Sequence, residues 1–266
     1  MNCKNCELSI QTHHNYCPHC GAKVIRNKLT IKALFSHFSE QFLNYDNKFI
    51  QTFIQLFTKP EAVIGCYING TRKKYVNVIS YFALAITISG LQLYILNKYF
   101  PELIDISSIT AEGQEELAKK NLEFTQEYQS IIMMISVPIY AIISKIVFFN
   151  IKTHNYTEHL VMFMYIFSQM AIFGALFQVI GSIFGLSLGI ATIIFMPLQI
   201  LYSSYCLKRL FNLSLKSILL KTLFFLLILS IVFVLVEILY LIILYFNGSL
   251  QEMIDTQRAA KEVSGN

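Results

Sequence analysis

Five apolar stretches, each about 20 residues long and nearly free of charge, constrain this chain more than any other feature of its sequence. A helix rises only about 1.5 Å per residue, so about 20 such residues are needed to cross the hydrocarbon core of a bilayer. The stretches fall at 76–100, 131–149, 160–180, 186–207 and 217–246. Composition agrees: 55% of residues are hydrophobic and 14% charged, against roughly 25% charged in a soluble domain. The mean hydropathy is +0.54. A soluble core cannot absorb that much apolar surface. The third and fourth stretches are separated only by "GSIFGLSLG", so they form a tight helical hairpin or a re-entrant pair. The sequence shows no signal peptide, since its first thirty residues are polar and rich in cysteine.

Lysine and arginine choose the orientation. Arg72, Lys73 and Lys74 precede the first span. Lys145 and Lys152 flank the second-to-third loop, and Lys208, Arg209, Lys216 and Lys221 flank the fourth-to-fifth. The loop at 101–129 carries acids against Lys119 and Lys120 alone. The positive-inside pattern therefore predicts a cytosolic N-terminus and an external C-terminus. The implied location is a membrane, as a multi-pass protein. The net charge of +5 is spread along the membrane border, so nucleic acid is not an expected partner.

Cys3-x2-Cys6 and Cys17-x2-Cys20 form the sharpest motif. Two such knuckles let four thiolates converge tetrahedrally at about 2.3 Å from a zinc ion. Pro18 stiffens the second turn, and Gly21 permits a positive φ. Disulfides are disfavoured in a reducing cytosol. Rubredoxin-type iron and a redox dithiol stay as alternatives to zinc. A four-cysteine shell leaves no open position, so the metal is expected to be structural, and His13, His14 and His19 are expected to stand outside it. Cys66 and Cys206 are isolated in apolar surroundings and read as small hydrophobes.

Between the motif and the first span, Ile31, Leu34, Phe35, Phe38 and Phe42, then Phe49, Phe53, Leu56 and Phe57, recur at helical spacing. They predict two amphipathic helices, with Thr30 and Asp46 as N-caps and Pro60 as the stop of the second. Beside a membrane, these helices are expected to lie at the interface or dock under the bundle, with a small soluble hairpin packed on the ribbon as the alternative. The predicted organisation is a zinc ribbon at 1–27, interfacial helices and a basic juxtamembrane segment at 28–75, a five-span bundle at 76–247 and an external tail at 248–266. The fold class is an all-α integral membrane protein.

The order of C-x2-C, "YCPHCG", "YDNKF" and Gly70-Thr71-Arg72-Lys73-Lys74-Tyr75 before a span resembles the family called domain of unknown function 3667, over about residues 3–82. Two positions depart from its pattern, Glu61 after Pro60 and Val78. The resemblance implies a ribbon-plus-membrane architecture with the N-terminus inside, in the cytoplasmic (inner) membrane of a bacterium, and no activity. Five spans behind a cytosolic N-terminus also resemble, in layout alone, the Yip family of trafficking proteins.

Inside the spans, Lys145 and Lys221 lie near the interface and are expected to snorkel. Glu237 stands alone in the last span, where it reads as a cation or proton site, or as an acceptor for Gln169, Gln178 or Gln199. Pro138 and Pro197 are expected to kink their spans, and Gly181, Gly185 and Gly189 have the spacing of a packing motif but sit at the hairpin turn. His37, His154 and His159 are scattered. No nucleophile triad or phosphate loop is recognisable, so an enzyme is not expected. The sequence favours an adaptor or scaffold whose ribbon meets a cytosolic or membrane protein partner or its own bundle. The alternative is a transporter or lipid-handling protein with a polar site near Glu237. The oligomeric state is not set by the sequence.

Overall fold

The structure is a computed structural model that describes residues 1–22, 24, 48–104, 110, 115–151 and 154–246. The first predicted interfacial helix, with Ile31 to Phe42, and the tail at 248–266 lie outside these residues. The chain divides into two compact units, Met1–Lys48 and Phe49–Asn266.

In the second unit the described residues are helical throughout the elements they form. Helices α1 (Lys48–Thr58) and α2 (Pro60–Ile68) are short. Then come α3 (Val78–Tyr99), α4 (Glu115–Glu127), α5 (Gln129–Val147), α6 (Tyr156–Ile183), α7 (Leu188–Leu210) and α8 (Leu215–Phe246), with a single 3-10 turn at Pro101–Leu103. Five of them, α3, α5, α6, α7 and α8, are long and apolar enough to cross a membrane. Each coincides within a few residues with one of the five apolar stretches.

Local chemistry starts these helices. Asn77 caps α3, its side chain accepting from the Ile79 N–H at 3.0 Å. At α6 a capping box closes: Asn155 Oδ1 accepts from the Glu158 N–H at 2.9 Å, and Glu158 Oε2 accepts from the Asn155 N–H at 2.6 Å. Two orphan amides are thereby satisfied at once. Ser187 caps α7. The hairpin between α6 and α7 turns at Gly185, whose φ of +80° is one that side-chain-bearing residues rarely adopt. Tight packing follows on both sides of it. A Cβ at Gly174 would stand 2.7 Å from the Phe195 ring, and one at Gly181 2.8 Å from Leu186.

Helix α6 is the pillar of the bundle. Half of its span is buried, whereas none of the α8 span is. It lies against α3 and α5, and also touches α2 and α7. Tyr81, Phe148, Phe163, Tyr165 and Met162 are almost fully enclosed at these contacts. Helix α8 leans on α5 and α7 and shows most of its length to the surroundings.

Pro60 follows the end of α1 at Thr58, as a stop signal should, and is also the first residue of α2, a helix that the spacing did not announce. A proline at that position loses nothing, because its missing N–H is one of the donors a helix start leaves unpaired. Of the two placements expected for the amphipathic pair, α1 takes the dock against the bundle. Leu56 and Thr52 are fully buried, and Phe57 meets Phe173 of α6 and Tyr202 of α7 edge-on, at 5.4 Å for both. The Phe-rich face is matched by aromatic side chains of the bundle, which pack it more specifically than acyl chains can.

Candidate metal centre and the polar cluster of the bundle

In the first unit the two knuckles are built alike. The Cys3 N–H donates to the Leu8 carbonyl at 2.9 Å and the Cys17 N–H to the Ala22 carbonyl at 2.8 Å. One residue inside each turn, the Glu7 N–H donates to the Cys3 carbonyl at 2.8 Å and the Gly21 N–H to the Cys17 carbonyl at 2.9 Å. Glu7 and Gly21 both take left-handed backbone angles, φ +60° and +70°. An isolated antiparallel bridge joins Asn2 to Ser9, and Ile10 is buried beside Cys3 and Cys17.

These turns bring the four sulfurs of Cys3, Cys6, Cys17 and Cys20 within 4.8 Å of one another. Cys3 Sγ is 3.6 Å from Cys20 Sγ, and Cys6 Sγ is 3.7 Å from Cys17 Sγ. All four are free thiols, and these separations are far beyond a disulfide of about 2.05 Å. They match the edge of a tetrahedron around a metal–sulfur bond of about 2.3 Å, which is about 3.8 Å. The four thiols can hold a metal ion. Backbone amides prepare them for it: the N–H groups of Asn5 and Cys6 lower the Cys3 thiol, and the Ala22 N–H, helped by the Asn5 side chain, lowers Cys20 to about 6. Cys6 also receives the Leu8 N–H, yet the neighbouring Cys20 thiol and burial push it up to about 12. Four anions this close repel one another, which is the condition a bound dication relieves.

The bundle holds a second set of polar groups, which hold α1, α2 and the segment that leads into α3. Gln169 of α6 is wholly buried. Its Oε1 accepts from the Tyr81 hydroxyl at 2.5 Å, and its Nε2 donates to the Phe53 carbonyl at 3.0 Å. The Tyr165 hydroxyl donates to the Val76 carbonyl at 2.8 Å, while the Val76 N–H donates to Thr52 Oγ1 at 3.1 Å. Tyr202 and Tyr205 of α7 donate to the carbonyls of Leu56 and Thr58, at 3.0 and 2.9 Å. Those carbonyls belong to the last turn of α1, where a helix has no internal donor left. Arg209 completes the clamp from the end of α7 by pairing with Glu61 of α2, its Nε 3.0 Å from Oε2. Sequence reasoning saw Gln169 as a polar residue in a span; it missed the tyrosines, whose partners lie far away along the chain.

The remaining candidates fall elsewhere. Glu237 is exposed on α8 and makes no hydrogen bond among the described residues; Gln169 is already engaged, so the suggested partnership is absent. Lys145 Nζ donates to the His154 carbonyl at 2.5 Å. Lys221 Nζ donates to the Val147 carbonyl at 2.8 Å and to Asn150 Oδ1 at 2.9 Å. Both ammonium groups are anchored to the chain. His159 is fully buried, with Nδ1 2.8 Å from Ser144 Oγ and Nε2 without a hydrogen-bond partner among the described residues. His154 lies edge-on to Phe211 at 5.2 Å. Cys206 is fully buried and Cys66 half-buried against the core, as small hydrophobes should be.

Fold and site together define a helical protein with five membrane-length helices and a separate module of four converging thiols. Residues 46–90 match the model of a family described as "Protein of unknown function (DUF3667)", the family the sequence resembles. The match covers α1, α2, the basic segment and the first half of α3; the cysteine knuckles stand outside it. Neither the curated proteins nor the solved structures gave a match, so the likeness to the Yip layout has no further support.

Proposed function

We propose that this chain is a non-catalytic integral membrane protein whose N-terminal module is a structural zinc ribbon. The ribbon serves as a docking platform on the cytosolic side of the bacterial inner membrane. One observation carries the reading: four thiols at tetrahedral separations, supplied entirely by the chain. Such a shell leaves no position for water or substrate, so the ion folds the module and does no chemistry. Iron fits the same separations. Zinc is favoured because Ile10 is the one non-cysteine side chain buried among the described residues of this unit, too little to shield a redox centre. Around the knuckles Leu8 and Tyr16 are exposed; apolar and aromatic side chains of this kind are what a protein partner covers.

The transport reading built on Glu237 loses its main argument, since that carboxylate faces outward on α8 rather than into the bundle. The test is to purify the full chain in detergent with a photo-crosslinking residue at Tyr16, then measure metal and crosslinked products. One zinc per chain is expected, falling at least several-fold in Cys17→Ser, with Tyr16 crosslinked to a second protein or to the chain's own bundle. A metal-free or iron-loaded wild type sinks the zinc assignment. Zinc-loaded chain with no crosslinked product sinks the docking role.

A further inference from the structure

Between α5, α6, α7 and α8 the bundle leaves a cavity of about 170 Å³. It lies at the end that carries α2 and the basic residues. Its walls are mostly aromatic. Tyr140 packs edge-on to Phe167 at 4.9 Å and tilts over Phe225 at 5.6 Å, and Phe163 stacks on Phe225 at 5.9 Å. At one side stands a single charge, Lys221. Its ammonium is oriented by Val147 O and Asn150 Oδ1, both neutral, and lies 4.9 Å from the centre of the Phe148 ring. An ammonium has three N–H donors, so one remains. No carboxylate lines the cavity or reaches Lys221 among the described residues.

Two further donors line the cavity without a hydrogen-bond partner among the described residues: the Tyr140 hydroxyl and the Gln199 side-chain amide. Ser204 and Thr222 also line it, joined to each other at 2.9 Å. The ammonium sits beside the Val147 carbonyl, and Tyr140 lies about 10 Å deeper along α5, at 1.5 Å per residue, beside Phe167 and Phe225. A cation with a spare donor at one end of a greasy space is what an anionic head with a hydrocarbon tail requires. A cavity of this size holds a head and its first few carbons, as one of about 150 Å³ holds a benzene. The rest of the tail would pass the exposed Met196, Leu223 and Leu227 into the bilayer.

We propose that this cavity binds one acyl-chain anion. Its carboxylate or phosphate oxygens are held by Lys221, and its first methylenes run past Tyr140 and lie among Phe167, Phe225 and Leu229. A fatty acid and an anionic phospholipid share this chemistry. The site is independent of the metal module.

The experiment uses the full chain in phosphatidylcholine nanodiscs with two probes: palmitate carrying a diazirine near its carboxylate, and phosphatidylglycerol carrying one near its head. Saturable labelling of residues 196–229 by either probe is the expected result, and the probe that labels identifies the source. Unlabelled palmitate or phosphatidylglycerol should protect, whereas methyl palmitate should not. Lys221→Met should lower labelling by about tenfold, the loss of one charged hydrogen bond. Leu229→Phe, which fills the apolar end and keeps the charge, should also block it. Labelling spread along the exposed face of α8, or equal protection by methyl palmitate, overturns the proposal on wild-type protein alone. Protection by inorganic phosphate overturns it in favour of a soluble anion.

Discussion

At the residue scale, the two knuckles pose a matched comparison. Gly21 and Glu7 occupy equivalent left-handed positions, but only glycine takes that conformation without a Cβ penalty of about 1–2 kcal/mol. Gly21→Val should therefore weaken metal binding in a competition with a chromogenic chelator, while Glu7→Gly should leave it equal or tighter. The sequence made Gly21 legible because glycine announces the turn; it hid Glu7, because a glutamate gives no such sign. Gln169 is a similar case. A buried glutamine in a span could be suspected, yet the Tyr81 and Phe53 it joins stand 88 and 116 residues away. Gln169→Met should leave a buried hydroxyl and a carbonyl short of partners and cost about 1–3 kcal/mol, read as a lowered midpoint of thermal unfolding in detergent. Titration adds a pH axis outside the spans. Burial pushes His154 below its ordinary value, Lys145 adding to this and Glu158 opposing it. The unfolded chain then takes up the proton first, so stability should fall as pH drops below about 6.5. Glu61 is held below the carboxylate range by Arg209 against partial burial. Its contribution is present above about pH 4.3 and lost as pH falls through its folded value. His154→Asn should flatten the upper part of this acid loss and leave the lower part unchanged.

At the element scale, the five spans were legible because lipid imposes a crude rule: every backbone group must be paired within the segment, and every side chain facing out must be apolar. Length and hydropathy then suffice. The short helices obey finer rules. The helical spacing of Phe49, Phe53, Leu56 and Phe57 announced α1 correctly, but an apolar stripe does not say whether lipid or protein will cover it. What decides is at the other end of the chain, where Tyr202 and Tyr205 project from α7 to the last carbonyls of α1. Helix α2 escaped notice because Pro60 is equally a stop for one helix and a start for the next. The family match at 46–90 takes in α1, α2 and the segment leading into α3, whereas the clamp's donors on α6 and α7 lie outside it. Replacing Tyr202 and Tyr205 together by phenylalanine keeps the ring packing against Phe57 and removes both donors. The amides of residues 52–62 should then exchange hydrogen faster by mass spectrometry, with those in the middle of α6 unchanged. Equal protection in the double variant would mean that packing alone holds α1.

At the scale of the whole molecule, charge is sorted by end. Connectivity puts the start of α3, the end of α5, the start of α6, the end of α7 and the start of α8 on one side, and Arg209 reaching Glu61 places α2 there too. That side carries Lys59, Arg72, Lys73, Lys74, Lys145, Lys208, Arg209, Lys216 and Lys221. The opposite side holds Lys98, Lys119 and Lys120 among Glu102, Glu115, Glu116, Glu123 and Glu127. Basic residues resist translocation while acidic ones contribute little, so the first side should remain in the cytosol. Five crossings would then place the C-terminus outside. The asymmetry does not depend on one cluster: with Arg72, Lys73 and Lys74 removed, six of the nine cations remain on that side. A C-terminal fusion tests this directly. Alkaline phosphatase joined after Asn266 should be active and green fluorescent protein joined there should be dark, because the first folds only outside and the second only inside. Changing Arg72, Lys73 and Lys74 to glutamine should weaken the bias without inverting it. Full inversion by that triple change would show that the first span alone sets the topology, and a bright, phosphatase-inactive wild type would turn the protein over in the membrane.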